Sequence, residues 1–264
     1  MFDCHVHSSF SGDSEMEAVT ACDRAIELGL TGIAFTDHLD YDYPDYDEKF
    51  LIDFDKYSGF MDSIKTQYTG RLKIMKGIEV GIQPHVIEDT TKVVEKYDFD
   101  FVIASVHIID KMDPYYGEYY KGKSKEQAYS RYLEAILTSV TDFDNFDVVG
   151  HIGYIRRYCS YDDRTLRYQD FSDVIDCILK TVISKGKGIE VNTSGYKDME
   201  CPIPDFDIIR RYVELGGEII TMGSDAHFPE HMARNFGHVR DRLGDIGFKY
   251  TAHFEQRKVV FDKI

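Results

Sequence analysis

The chain of 264 residues is long enough for one large α/β domain or two small ones with a well-buried core. Its 47 acidic and 31 basic side chains give a formal net charge of −16, and no Lys/Arg run offers the basic surface that nucleic acid would require. No apolar stretch reaches the roughly 18 residues of a membrane span, and no signal peptide is recognisable. The five cysteines are scattered without a CxxC pair, so a cytoplasmic protein with reduced thiols is expected.

The first predicted element is a short apolar strand that ends in His-x-His. Because side chains alternate along a strand, His5 and His7 of Phe2–His7 point to the same face, and Asp13 follows closely. Two imidazoles in this arrangement are a natural chelate for zinc, iron and related ions. The motif alone is a weak signal, because neighbouring histidines on a strand are often coincidental. It gains weight only if further ligands converge on it.

Strand and helix patterns then alternate along the chain. Helical spacing predicts a helix over Met16–Leu28, with Ser14 as its N-cap and Gly29 as its stop. Further apolar strands are predicted at Gly32–His38, Leu72–Val80, Phe101–His107, Val148–His151, Gly188–Asn192 and Glu218–His227. Further helices are predicted at Lys125–Val140, Phe171–Ser184 and Pro204–Leu215. Parallel strands covered by helices are expected, and seven such units without a linker favour one closed barrel domain over residues 1–264, with a doubly wound sheet as the alternative.

Polar residues typical of metal and active sites recur at or near the ends of these strands. They are His7, His38, Glu79, His107, His151, Asn192 and Asp225. The carboxyl ends of the strands form the active-site face of an α/β barrel. A lone histidine at such a position is usually a core residue bonded to the backbone. A chance scatter of 10 histidines would not put one near the end of five of the seven strands, so the set predicts a metal site.

These strand ends carry motifs that resemble a known family. The motifs are Asp3-x-His5-x-His7-Ser8, Phe10-Ser11-x-Asp13, Phe35-Thr36-Asp37-His38, Gly77-Ile78-Glu79-Val80-Gly81, Ala104-Ser105-Val106-His107, Gly150-His151-Ile152, Glu190-Val191-Asn192-Thr193-Ser194-Gly195 and Gly223-Ser224-Asp225-Ala226-His227. In order and extent they resemble the PHP superfamily (polymerase and histidinol phosphatase), and most of all its monofunctional histidinol-phosphatase branch. The resemblance implies a distorted seven-stranded, TIM-like (β/α) barrel that holds three divalent ions, either Zn, Mn or Fe.

The same resemblance implies how the ligands divide among the three ions. The first ion would take His5, His7, Glu79 and Asp225; the second would share Glu79 and add His107 and His151; the third would take Asp13, His38 and His227. Asp13 stands where some relatives have histidine. A carboxylate there favours harder ions such as Mn²⁺ or Fe²⁺ at the third position.

Several residues are candidates for binding a phosphate group. Arg156 and Arg157 follow His151 directly and either could supply a cation, although the resemblance favours Arg157. Asn192 and Ser194 offer neutral donors at the end of the next strand. An arginine commonly follows Ser-Gly in relatives, whereas this chain has Tyr196 and Lys197, and a lysine acts as a point charge without the bidentate fork.

The predicted chemistry follows from a carboxylate shared by two ions. Such ions lie about 3.5–4 Å apart, which suits in-line phosphoryl displacement, and Glu79 is the best bridge because a carboxylate has two oxygens. The expected nucleophile is a metal-bound hydroxide held by Glu79, Asp225 and His151.

Three functional classes remain. The first is a histidinol-phosphatase of histidine biosynthesis that acts on L-histidinol phosphate. The second is a phosphatase or phosphodiesterase for another small phosphorylated metabolite, and the third is a non-catalytic or proofreading PHP module. The complete ligand set argues against the third class.

Two loops on the active-site face are the natural specificity elements. They are the acidic and aromatic segment Asp40–Tyr57 and the Tyr-rich segment Asp113–Lys123. One hypothesis is that acidic side chains in Asp42–Glu48 attract the amino group of the substrate. Asp37 is expected to orient a histidine. The remaining histidines are expected at the surface or next to the ligands, with His231 able to approach the site: His85, His231, His238 and His253.

Overall fold

The computed structural model describes residues 1–44 and 49–264. Its helices are α1 (Ala18–Glu27), α2 (Phe54–Gln67), α3 (Ile87–Lys96), α4 (Lys125–Asp142), α5 (Ser172–Ser184), α6 (Phe206–Glu214) and α7 (Phe236–Ile246). Its strands are β1 (Phe2–Val6), β2 (Gly32–Phe35), β3 (His38–Asp40), β4 (Lys73–Gly81), β5 (Phe101–Ser105), β6 (Val148–Val149), β7 (Gly188–Asn192), β8 (Ile220–Gly223), β9 (Tyr250–Glu255) and β10 (Lys258–Lys263).

Seven parallel strands form a nearly closed barrel in the order β1-β2-β4-β5-β6-β7-β8. The two outer strands meet where Val6 forms a parallel bridge with Ala226 and the His7 N–H donates to the Ala226 carbonyl at 2.9 Å. The predicted (β/α) barrel is therefore confirmed. The doubly wound alternative is wrong, because in an open sheet the last strand would not return to the first.

The barrel is distorted where the second predicted strand is divided at Thr36 and Asp37. β2 pairs with both β1 and β4, whereas β3 pairs with β4, so that His38 lies opposite Glu79 in the register. The β1–β2 register also shifts, between Asp3 and Val6. Irregular pairing next to an active site re-aims side chains. Here it brings His38 beside Glu79.

An antiparallel hairpin of β9 and β10 covers the amino-terminal end of the barrel. Phe254 stacks on Phe101 at a centroid distance of 5.2 Å, and Arg257 Nε donates to Asp147 Oδ2 at 2.6 Å. Gln256 and Arg257 turn the chain with φ angles of 50° and 63°. The sequence pattern does not predict this hairpin, because the turn lacks the Gly or Asn that usually adopts left-handed angles.

Helix α1 begins later than the pattern predicts. Its N-cap position is Glu17, not Ser14, and no side chain caps it. Ser14 Oγ instead donates to the His227 carbonyl at 3.2 Å and accepts from the Met16 N–H. Ser14 thus fastens the loop that follows β1 to the loop that follows β8. The predicted stop at Gly29 is confirmed, since Gly29 has a φ of +70° and ends the helix with left-handed geometry.

Two further expectations concern the surface and the thiols. Within residues 1–44 and 49–264, no helix is long and apolar enough to cross a membrane. All five cysteines are free, and Cys4, Cys22 and Cys159 are buried, as expected for reduced thiols.

Candidate metal centre

The nine predicted ligands converge at the carboxyl end of the barrel, with Glu79 at the centre of the cluster. They are His5, His7, Asp13, His38, Glu79, His107, His151, Asp225 and His227. Strand alternation explains the convergence, because each strand presents its inward side chains to the same axis.

The Glu79 carboxylate faces different histidines with its two oxygens. Oε1 lies 2.9 Å from His151 Nε2 and 3.3 Å from His107 Nε2. Oε2 lies 3.2 Å from His5 Nε2 and 3.0 Å from His38 Nδ1. Glu79 is fully buried near the carboxyl end of β4, and its Oε1 also accepts from Ser105 Oγ. A carboxylate shared between two cations requires this two-sided surrounding.

Asp225 contributes a carboxylate from the end of β8. Its Oδ1 lies 3.3 Å from His7 Nε2 and 3.8 Å from His5 Nε2. The Asp225 backbone has a φ of +53°, a left-handed angle that is uncommon for a residue with a Cβ, and its N–H donates to the His5 carbonyl at 2.8 Å. The strained backbone aims the carboxylate across the barrel seam at the two histidines of β1.

Asp13 contributes a carboxylate from the loop after β1. Its Oδ2 lies 3.2 Å from His227 Nε2 and 3.6 Å from His38 Nε2. Ser14, the next residue, bonds to the His227 carbonyl, so the loop after β1 holds both Asp13 and His227 in place.

The donor set fits divalent ions. Among the described residues, three groups have ligand atoms within 4.8 Å of one another: His7, His38 and His227; His5, His7 and Asp225; and His38, Glu79 and His107. Glu79 Oε2 and His38 Nδ1 are buried without a hydrogen-bond partner in this part of the chain. Buried polar atoms are normally paired, and a cation would satisfy both atoms. His7 and His38 each belong to two groups, so the division of ligands among ions stays a prediction.

Opposite charges balance inside the cluster. Burial opposes protonation of His107, yet Asp40 and Glu79 raise its pKa to about 10. Burial likewise opposes the charged form of His5, but Glu190 and Glu79 raise its pKa well above the ordinary value. Although burial opposes ionisation of Glu79, His5 and His107 hold its pKa well below the usual range. Protons on the imidazoles thus do in the metal-free protein what cations would otherwise do.

Two carboxylates orient ligand histidines from behind. Glu190 Oε1 lies 2.6 Å from His5 Nδ1, and Asp40 Oδ1 lies 2.8 Å from His107 Nδ1. Each leaves the Nε2 atom of its histidine facing the cluster. Such partners fix the tautomer and the ring orientation of a metal ligand.

Neither carboxylate belongs to the predicted site residues, although the strand pattern points to both. Glu190 stands two residues before Asn192 in β7, and Asp40 stands two residues after His38 in β3. Residues two apart in a strand share a face, so both positions point where the predicted site residues point.

Asp37 supports a ligand indirectly. It accepts from the Ser8 N–H at 2.6 Å and from Ser11 Oγ at 2.9 Å. Ser11 Oγ in turn lies 3.0 Å from His7 Nδ1. The predicted orienting role of Asp37 is therefore exerted through a serine.

Arg157 pairs directly with one of the predicted ligand carboxylates. Its Nη2 donates to Asp225 Oδ2 at 2.7 Å, to the Ser194 hydroxyl and, more weakly, to Asn192 Oδ1 at 3.4 Å. Asn192 is fully buried and donates to Asp225 Oδ2 at 3.2 Å, so it holds the carboxylate, whereas Ser194 reaches the cavity. Arg157 and Ser194 remain available to an anion beside Asp225.

Arg156 does not fit the predicted phosphate contact. Its side chain turns away from the cluster, where Nη1 lies 2.8 Å from Asp205 Oδ2 and Nε donates to the Arg164 carbonyl at 3.0 Å. Nη2 donates to Cys201 Sγ at 3.3 Å. Consecutive residues in a helical turn point in different directions, so only Arg157 faces the metal ligands. Arg156 ties loops together behind the site.

A PHP domain family profile matches residues 3–194. The chain belongs to the PHP domain family. A probable histidinol-phosphatase of Clostridium acetobutylicum is 34% identical over 97% of this chain and 98% of its own length, and a histidinol-phosphatase of Lactococcus lactis subsp. lactis is 33% identical over 97% and 95%. The crystal structure of histidinol phosphate phosphatase from Lactococcus lactis subsp. lactis, complexed with Zn, L-histidinol and phosphate, superposes with a TM-score of 0.92 at 32% identity and covers 98% of both chains.

Seven of the nine predicted metal ligands line a cavity of about 360 Å³, together with aromatic and basic side chains. The aromatic side chains come from the two predicted specificity loops and from the loop after β6: Tyr43, Phe50, Tyr115, Tyr154 and Tyr158. The basic side chains are Arg157, Lys197, His231 and Arg234, and the Arg157 guanidinium lies over the Tyr154 ring, 5.4 Å from its centroid. The cavity therefore offers both cationic and aromatic contacts to a ligand.

The histidines outside the predicted ligand set lie in different parts of the molecule. His231 lines the cavity, and His85 pairs at the surface with Asp42. His253 contradicts the expectation, since it is buried in the hairpin at the opposite end of the barrel and stacks on Phe2. The acidic segment Asp42–Glu48 lies in part outside the described residues, which omit 45–48.

Proposed function

We propose that this chain is a metal-dependent histidinol-phosphatase, which hydrolyses L-histidinol phosphate to L-histidinol and phosphate in histidine biosynthesis. The observation that carries the hydrolytic reaction is the Glu79 carboxylate, whose two oxygens face separate histidine sets. Arg157 pairs with Asp225, another predicted ligand of the same cluster. The proposed substrate is supported by two relatives named probable histidinol-phosphatase and histidinol-phosphatase, which are 34% and 33% identical over nearly the full length. A cavity lined by basic and aromatic side chains suits a phosphate ester of an imidazole alcohol.

The proposed centre holds three divalent ions, with zinc, manganese or iron as candidates. Their donors are the nine carboxylate and imidazole side chains around Glu79, and this mixture of N and O ligands suits all three metals. When bound, such ions supply Lewis acidity toward the phosphoryl oxygens and a water nucleophile at neutral pH. The relative in the Lactococcus lactis crystal structure was complexed with Zn.

The side chains of this protein bind and orient the substrate around those ions. Arg157 neutralises a phosphoryl oxygen, because its guanidinium is fixed by Asp225 and Ser194 at the mouth of the ligand cluster. Glu190 and Asp40 keep the Nε2 atoms of His5 and His107 pointed inward. The tyrosines that line the cavity reduce the access of water to the bound substrate.

Steady-state kinetics test the proposal directly. Histidinol phosphate should exceed generic esters such as p-nitrophenyl phosphate by at least about a hundredfold in kcat/KM, which corresponds to roughly 2.7 kcal/mol of transition-state discrimination. Glu79→Gln should lose this activity, whereas Glu88→Gln, a substitution on an exposed face of α3, should retain it.

Two results would contradict different parts of the proposal. A larger kcat/KM for another ester would make the substrate wrong and leave the phosphoesterase chemistry standing. Absence of hydrolysis of every ester by fully metal-loaded protein would make the reaction itself wrong.

A further inference from the structure

The loop after β8 carries an arginine into the cavity. Arg234 lines the cavity wall, and its two neighbours, Ala233 and Asn235, both have left-handed backbones with φ angles of 50° and 57°. Non-glycine residues with such angles are uncommon, and two of them around one residue need other contacts to maintain the conformation. The structure supplies such a contact at Ala233.

Asp3 anchors this loop to the strand that carries His5 and His7. The Asp3 carboxylate is fully buried; Oδ1 accepts from the Ser224 N–H at 2.8 Å, and Oδ2 accepts from the Ala233 N–H at 3.0 Å. Charge-assisted hydrogen bonds that a buried carboxylate accepts from backbone N–H groups are among the stronger hydrogen bonds in a protein. The backbone beside Arg234 is thereby fixed relative to the metal ligands.

The charge of Arg234 is not compensated by the surrounding protein. No described residue forms a hydrogen bond or an ion pair with its guanidinium, although the chain has a net charge of −16 and offers many carboxylates. Arg157, by contrast, is paired with Asp225 at 2.7 Å. A half-buried guanidinium without a partner, beside a site for an anion, is available to that anion.

Other basic side chains line the same cavity. Burial and the positive charges of Arg234, in the same loop, and of Lys197, in the loop after β7, lower the pKa of His231. Lys197 is exposed, whereas Arg234 is half-buried. Of the two, only Arg234 has the planar fork that can bind two oxygens of one phosphate.

We propose that Arg234 is a second phosphate-binding guanidinium, which binds the phosphate monoester in addition to Arg157. The inference rests on the proposed function, because it assigns the anion of that reaction to this cavity. It also explains how a chain with lysine at position 197 obtains bidentate recognition: the second arginine comes from a different loop.

Calorimetric titration of the metal-loaded protein with inorganic phosphate tests this role without any turnover. Arg234→Gln should raise the Kd for phosphate about tenfold or more, as expected for the loss of a charged hydrogen bond. Arg234→Lys, which keeps the charge and loses the fork, should lie between this variant and the wild type. Arg240→Gln removes an arginine from α7 that pairs with Asp241 outside the cavity and should bind phosphate normally.

The outcomes separate this inference from the proposed function. A phosphate Kd within twofold of the wild type in Arg234→Gln, with metal content and thermal unfolding unchanged, would overturn the role of Arg234. If Arg234→Gln lost metal, an unchanged phosphate Kd in fully metal-loaded Arg234→Lys would overturn bidentate binding instead. A raised Kd for phosphate in Arg234→Gln, in a protein that prefers another ester over histidinol phosphate, would support the role of Arg234 in phosphate binding. It would contradict only the proposed substrate.

Discussion

Glu190 Oε1 lies 2.6 Å from His5 Nδ1, and both side chains are fully buried. The other Glu190 oxygen accepts from the His151 N–H at 2.8 Å, so a single carboxylate sets the position of two ligand-bearing strand ends. It binds no ion in the proposed scheme. Its effect on the site is exerted through the His5 imidazole and the His151 backbone.

Glu190→Gln should therefore weaken metal binding while the fold survives. An amide in place of the carboxylate removes the charge that favours His5 as a donor, and loss of such an outer partner costs about 10–100-fold in metal affinity. Competition with a chromophoric chelator measures this change. The exposed Glu88→Gln serves as the matched control, and equal affinities of the two variants would contradict the orienting role of Glu190.

Glu79→Gln should lose more than one ion per chain, because both oxygens of Glu79 face histidines and the amide nitrogen cannot bind a cation. Elemental analysis of the purified variant gives the count. Removing one member of a buried charged set also costs about 3–5 kcal/mol of the free energy of unfolding of the metal-free protein. Full metal occupancy in the variant would remove Glu79 as the bridge.

Metal binding should release protons, because the pKa of a predicted ligand histidine is raised in the metal-free protein. Burial lowers the pKa of His107, but Asp40 and Glu79 raise it to about 10. His107 therefore carries a proton in the metal-free protein at neutral pH. Ligands must be deprotonated, so the apparent affinity should rise from about pH 6 to pH 8. Calorimetry in buffers of different ionisation enthalpy counts the protons. A count of zero at pH 7 would show that the histidines are already neutral.

The same pKa implies a pH dependence of stability. A pKa raised by folding contributes stability that is complete below the unfolded value of about 6.5 and is lost as the pH rises through about 10. Chelated protein should consequently unfold more readily at pH 10 than at pH 7, which chemical denaturation at the two pH values would measure.

Arg157 and Arg156 should respond differently to the same substitution. Arg157→Ala removes a charged contact in the cavity. It should lower kcat/KM by an amount equivalent to about 1.5–3 kcal/mol of transition-state stabilisation, a larger loss than for Lys197→Ala. Arg156→Ala leaves Asp205 without its partner and should lower the melting temperature while KM changes little. A large rise in KM for Arg156→Ala at a temperature where the variant is folded would contradict this separation.

The hairpin offers a test of stability remote from the chemistry. Phe254 is 5% exposed and packs on Phe101 inside the amino-terminal end of the barrel. Phe254→Ala should lower the free energy of unfolding by about 3–5 kcal/mol. Metal content and KM of the folded variant should match the wild type, because the ligands lie at the other end of the strands.

The sequence predicts the parts of this fold in which apolar residues recur at regular spacing. Parallel strands buried on both faces read as apolar runs, and their ends carry the ligands, so the barrel and the converging residues around Glu79 can be inferred from spacing. Features that depend on tertiary contacts cannot be inferred in this way. Ser14 looks like an N-cap but bonds to His227, and Arg156 looks as suitable as Arg157 until the helical turn separates their directions.

The hairpin and the outer carboxylates escape prediction for different reasons. The turn at Gln256 and Arg257 is left-handed without the residues that normally signal it, because packing against the barrel determines its conformation. Glu190 and Asp40 follow the alternation of their strands and could have been found by extending the ligand pattern two residues along each strand.

The seam between β1 and β8 has a consequence for how the protein matures. Asp13 and His227 lie 3.2 Å apart in space and 214 residues apart in sequence, and Asp225 reaches His5 and His7 across the same seam. During synthesis on the ribosome, the histidines of β1 leave the exit tunnel long before their partners exist. A complete metal centre therefore forms only after β8 has docked, so a stalled or truncated chain would expose its first histidines without holding the ions that the finished barrel can bind.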